Sequence, residues 1–104
     1  MASWIEIAPA ETLVEGKSTC TTCGDKQIVV AKLQGAYYAF DNLCSHAEGY
    51  LADGWFEGFE VECPLHGARF DVRSGAAKCL PATAPIATYP VKLEAGILYV
   101  DIGA

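Results

Sequence analysis

Turn-forming pairs punctuate this chain at short intervals and leave little room for a long helix. Glu15-Gly16, Gly24-Asp25, Gln34-Gly35, Asp53-Gly54, Glu57-Gly58, Ser74-Gly75 and Ala95-Gly96 all carry turn chemistry. Between them lie short runs rich in β-branched and aromatic residues: Trp4 to Ala8, Gln27 to Leu33, Ala36 to Phe40, Phe59 to Glu62, Ile86 to Glu94 and Ile97 to Ile102. Within Tyr89 to Glu94, Tyr89, Val91 and Leu93 alternate with Pro90, Lys92 and Glu94, which predicts one buried and one wet face. Pro90 lacks an N–H and therefore belongs at a sheet edge or on the side that makes no ladder bond. A turn near Pro9 to Leu13 is the only helical candidate. The pattern predicts an all-β fold, an antiparallel sandwich or small barrel.

With 104 residues, 52% of them hydrophobic and 19% charged, the chain suits one domain with a real core. The net charge of -6 argues against nucleic acid, which needs a basic footprint, and suits docking onto a basic protein patch. No apolar stretch approaches the roughly 18–20 residues of a membrane span. The start, Met1 to Glu6, lacks a basic region followed by an apolar one, so the cytoplasm is the expected location. Five cysteines in a reducing compartment read as metal ligands or thiols rather than a disulfide framework.

The segment from Asn42 to Pro85 differs from the rest. It holds both histidines and three cysteines, and reads as a loop-built insertion of about residues 42–85 carried by the β framework. Two boxes stand out within it, Cys44-Ser45-His46 and Cys63-Pro64-Leu65-His66, with sixteen residues between His46 and Cys63. Two Cys and two His can serve a tetrahedral zinc, or a [2Fe–2S] centre in which two histidines replace two cysteines on one iron. Cys-x-His is tighter than the usual zinc pairs. In a binuclear cluster, two ligands from one loop can bind different irons.

The boxes and their surroundings resemble the Rieske family, and specifically the Rieske ferredoxins of bacterial ring-hydroxylating oxygenase systems. The matching residues are Cys44-Ser45-His46 with Gly49, the run Val61 to Asp71, Arg73-Ser74-Gly75, and the proline loop around Pro81 to Pro85. The resemblance implies a Rieske fold over residues 1–104, with a small cluster-binding subdomain. Cys44 and Cys63 would bind an inner iron, and His46 and His66 an outer, solvent-facing one. It also implies a one-electron carrier, not an enzyme by itself, that receives electrons from a ferredoxin reductase (a flavoprotein) and passes them to a terminal oxygenase. A monomer forming weak, transient complexes is expected. Glu48, Asp53 and Arg69 are candidates for steering a partner. Gly49 and Gly67 are turn glycines that also let backbone N–H groups approach sulfide. Phe70, Trp55 and Phe56 read as core or cluster-shielding residues.

Departures from the high-potential branch bear on the redox potential. Gly49 and Leu65 stand where that branch has a disulfide, and Ala68 and Phe70 where it has a serine and a tyrosine hydroxyl. Hydroxyl donors stabilise the reduced cluster, so their absence predicts a potential toward roughly −150 mV, the low end of the Rieske range. The two histidines would also make the potential fall at high pH. Two other readings are a zinc-stabilised module using Cys20 and Cys23 with Cys63 and His66, and a Rieske small subunit of another redox enzyme such as nitrite reductase. Cys20, Cys23 and Cys79 otherwise read as incidental thiols. Two histidines are too few to add a two-His-one-carboxylate iron site, and no dinucleotide fingerprint is present.

Overall fold

Ile28-Val29-Val30-Ala31 is apolar without a break, and the rest of the molecule is arranged around the strand it forms. A computed structural model describes residues 3–23, 26–42, 50–64, 67–79 and 84–103. Its strands are β1 Trp4–Pro9, β2 Ser18–Cys23, β3 Lys26–Leu33, β4 Ala36–Asp41, β5 Trp55–Glu57, β6 Glu60–Glu62, β7 Arg69–Asp71, β8 Ala77–Cys79, β9 Thr88–Tyr89, β10 Val91–Glu94 and β11 Ile97–Asp101. Short 3-10 turns cover Ala10–Thr12 and Leu51–Asp53. Among the described residues no helix is long and apolar enough to cross a membrane.

The strands form three antiparallel sheets, ordered β1-β11-β10, β2-β3-β4-β9 and β5-β6-β7-β8. The second sheet is the middle layer. Val29, Ala31 and Leu33 of β3 and Phe40 of β4 enter one core with Leu51, Val61, Cys63, Ala68, Phe70, Val72 and Ile86. Ile28 and Val30 of β3 and Ala39 of β4 enter a second core with Leu13, Leu98 and Val100. A strand buried on both faces has no polar side to show, which is why β3 reads as a continuous apolar run.

Two hairpins are closed by the turns expected of them. Gln34 and Gly35 have φ of 54° and 79°, and Ala95 and Gly96 have 52° and 79°. Two successive left-handed residues match the right-handed twist of the strands they join. The Glu15 carboxylate accepts from the Gln34 and Gly35 amides at 2.7 and 2.9 Å, which lowers its pKa.

Three expectations need correction. The run Ile86 to Glu94 is not one strand: it leaves the second sheet as β9 and enters the first as β10, and Pro90 is the corner. Both pieces are edge strands, as a residue without an N–H requires. Leu93 is 55% exposed rather than buried. It sits beside the 95–96 turn on an edge strand and is left uncovered, whereas its partner Leu98 on β11 is fully buried. Finally, the stretch read as loop-built, with one predicted strand at Phe59 to Glu62, carries a four-stranded sheet of its own, of which β6 is that strand. Its three-residue strands are too short to show a period.

Candidate metal centre

Two structured necks flank the predicted boxes. β4 ends at Asp41, and the next residue, Asn42, is the buried polar residue of the described core, 4% exposed. Its amide N–H donates to the Gln27 carbonyl at 2.9 Å, and its side-chain Nδ2 donates to Gln27 Oε1 at 2.9 Å. Its carbonyl accepts from Leu51 N–H at 2.6 Å, and its Oδ1 accepts from Ala52 N–H at 2.9 Å. Asn42 thus binds the strand that precedes the first box to the 3-10 turn that follows it. Cys44 and His46 fall in the intervening segment, outside the described residues.

The second box sits on the β6–β7 hairpin. Glu62 pairs with Arg69, and Cys63 N–H donates to the Ala68 carbonyl at 2.7 Å. Gly67 has φ of 72°, a conformation that favours glycine. Cys63 is fully buried, in the core that also holds Leu51, Val61, Ala68 and Phe70. His66 and Leu65 lie outside the described residues. The two necks touch through Gly54, where a Cβ would overlap the Glu62 carbonyl oxygen directly before Cys63. Glycine is therefore what lets the exit of the first loop rest on the base of the second.

A third loop is held in the same way. Gly75, with φ of 81°, accepts at its carbonyl from Ile86 N–H at 2.9 Å, and a Cβ there would overlap the Ile86 carbonyl. Pro85 is exposed, and Pro81 lies outside the described residues.

The outer face of the third sheet is charged. The Arg69 guanidinium reaches Glu57 at 3.0 Å, Glu60 at 3.6 Å and Glu62 at 2.9 Å. Hydrogen bonds to Glu57 and Glu62 raise its pKa. Arg69, a candidate for steering a partner, is thereby paired within its own sheet. Glu48 and the Asp53 side chain lie outside the described residues. Phe70 is fully buried and Phe56 stands edge-on to Phe40 at 6.4 Å, but Trp55 is 61% exposed. It faces outward with Glu57 because the alternation of β5 turns Phe56 inward, so it is not a core residue. At the start of the first loop, Tyr89 donates its hydroxyl to Asp41 Oδ1 at 2.7 Å. Burial, then this bond, raises the phenol pKa.

The CxxC reading fails on strand geometry. Cys20 and Cys23 both lie within β2, opposite Val29 and Lys26. Residues three apart on a strand point to opposite faces. Cys20 is exposed, while Cys23 packs on the second core. They cannot jointly grip one zinc ion.

The donor chemistry at Cys63 fits an iron–sulfur group. A buried cysteine alone is an ordinary small apolar residue. Here it stands at the base of a glycine loop, walled by apolar side chains, with the neck of the other Cys/His box resting beside it. Apolar walls of this kind exclude water from a cluster and hold its potential low. The sequence matches the Rieske [2Fe-2S] domain over residues 3–90.

The chain belongs to the Rieske [2Fe-2S] family.

It is 42% identical over 99 residues to the ferredoxin component of the naphthalene 1,2-dioxygenase system of Pseudomonas putida, covering 95% of each chain. Among solved structures, the ferredoxin of carbazole 1,9a-dioxygenase from Nocardioides aromaticivorans superposes with a TM-score of 0.89 at 37% identity, covering 94% of this chain and 96% of that one. A chain from the complex of reduced oxygenase and oxidised ferredoxin in carbazole 1,9a-dioxygenase superposes at 0.90 with 27% identity, covering 94% and 92%. This Rieske protein carries a [2Fe–2S] cluster, and its relatives are named as ferredoxin components, not as catalytic subunits. The sequence reading singled out Cys63 but missed Asn42 as a clamp and took Gly54 only as a turn signal. The sole hint was an Asx residue two positions before the first box.

Proposed function

We propose that this protein is the one-electron carrier of an aromatic-ring dioxygenase system. It takes electrons from a separate flavin-dependent NAD(P)H reductase and delivers them singly to a terminal oxygenase. The observation that carries this reading is end-to-end identity of 42% with a ferredoxin component of naphthalene 1,2-dioxygenase. The bound cluster supplies a reversible one-electron couple. The proposed ligands are Cys44 and Cys63 on the inner iron and His46 and His66 on the outer one, within a cluster-binding subdomain of about residues 42–85. Support for Cys63 comes from its full burial at the base of the second loop.

The chain's own residues hold the cluster and limit water around it. Leu51, Val61, Ala68 and Phe70 line the side on which Cys63 is buried. Electrons would leave through the proposed outer-iron ligands, His46 and His66. The net charge of -6 favours partners that present basic surface, in weak and transient complexes of a monomer. The cytoplasm, where NAD(P)H and reductase are available, is the proposed location. Purified protein should be red-brown, with an axial-to-rhombic Rieske EPR signal once reduced. It should also restore oxygenase turnover when supplied with reductase. A colourless, zinc-loaded preparation would refute the reading.

A further inference from the structure

We propose that Asn42 is a positioning residue for the cluster. Its side chain sets the geometry of the loop that presents Cys44 and His46, and this rests on the ligand assignment proposed above. Among the described residues Asn42 makes four hydrogen bonds, and they join β3 to the turn that follows the first box. Two go back to Gln27 on β3, at 2.9 Å each, and two go forward to Leu51 and Ala52, at 2.6 and 2.9 Å. The residue is 4% exposed, so water cannot readily replace these partners. Both donor and acceptor halves of the amide are used, which neither Ala nor Leu can reproduce.

The clamp also reaches the second box. Leu51 N–H and Ala52 N–H, which Asn42 holds, open the 3-10 turn Leu51–Asp53. Gly54, whose N–H donates to the Leu51 carbonyl at 3.0 Å, ends that turn and rests on Glu62, next to Cys63. Entry strand, exit turn and second-box hairpin are thus joined in one continuous chain of contacts that runs through Asn42. A ligand pair on a loop is only as well placed as the loop's two ends. The redox and spectroscopic properties of the cluster therefore depend on Asn42, although it is not one of the proposed ligands.

The test uses cluster-loaded Asn42→Ala beside a control, Val100→Ala, which weakens the other core. Asn42→Ala should lose its cluster to a chelator about tenfold faster, the equivalent of about 1.4 kcal/mol. It should also shift the EPR g-values and the reduction potential. Val100→Ala should lower the unfolding midpoint yet leave g-values and potential unchanged. If Asn42→Ala does not load, Gln27→Ala decides: removing the Nδ2 partner should shift the EPR signal in a smaller step. Unchanged g-values and potential in the loaded variant overturn the proposal. A wild-type protein without a Rieske signal overturns the ligand assignment instead, so the two failures are distinct.

Discussion

A methyl group at position 54 tests how closely the segments flanking the two Cys/His boxes are held. Gly54→Ala places a Cβ on the Glu62 carbonyl oxygen, next to Cys63, so one of the two backbones must shift. Overpacking of this kind costs about 1–3 kcal/mol. Urea unfolding should show that loss, together with reduced iron per chain. Ala95 offers the opposite case, because it holds φ of 52° without being glycine. Ala95→Asn relieves the left-handed strain and should stabilise the protein by about 1 kcal/mol in the same assay. Tyr89 supplies a pH effect. Its folded pKa is raised by burial and by its bond to Asp41, so the bond stabilises the fold at and below the ordinary phenol pKa of about 10. That contribution fades as pH climbs through the raised folded value. Tyr89→Phe should therefore cost about 1 kcal/mol at neutral pH and flatten the alkaline loss of stability.

Strand geometry settles the role of Cys20 and Cys23. The pair is split between the two faces of β2, so replacing both by serine should leave the iron content and visible spectrum unchanged. A bleached double variant would contradict this. The same β2 shows what a sequence conceals. Ser18-Thr19-Cys20-Thr21-Thr22-Cys23 has no apolar alternation, and pairing with β3 rather than its own composition makes it a strand. β5, β7 and β8 escape notice because three residues cannot display a period. β1, β3, β4 and β11 were legible, because β-branched and aromatic runs and glycine turns agree there. At the metal centre the chemistry was legible and the support was not. Cysteine beside histidine declares itself locally. Asn42 and Gly54 matter only through partners such as Gln27 and Glu62, which lie far along the chain. Pattern reading has no access to such contacts.

For the molecule as a whole, the measurable consequence is the redox potential. Ala68 and Phe70 are fully buried and offer no hydroxyl to the side where Cys63 lies. We expect a midpoint near roughly −150 mV in film voltammetry, and a clearly positive value would refute it. Ala68→Ser should raise the midpoint. A hydrogen bond worth about 1 kcal/mol more to the reduced form corresponds to roughly 40 mV for one electron. Because the protein carries a net charge of -6, electron delivery to its partners should slow as ionic strength rises. The double-faced burial of β3 has one more consequence. The strand is a party wall: Val29 and Ala31 furnish the room that holds Cys63, while Ile28 and Val30 furnish the room behind it. Anyone hoping to excise the cluster-bearing half as a miniature redox peptide, or to graft it onto another scaffold, would have to bring β3 and β4 along. The transplant would then expose a strip of Ile28, Val30 and Ala39 that needs a new cover.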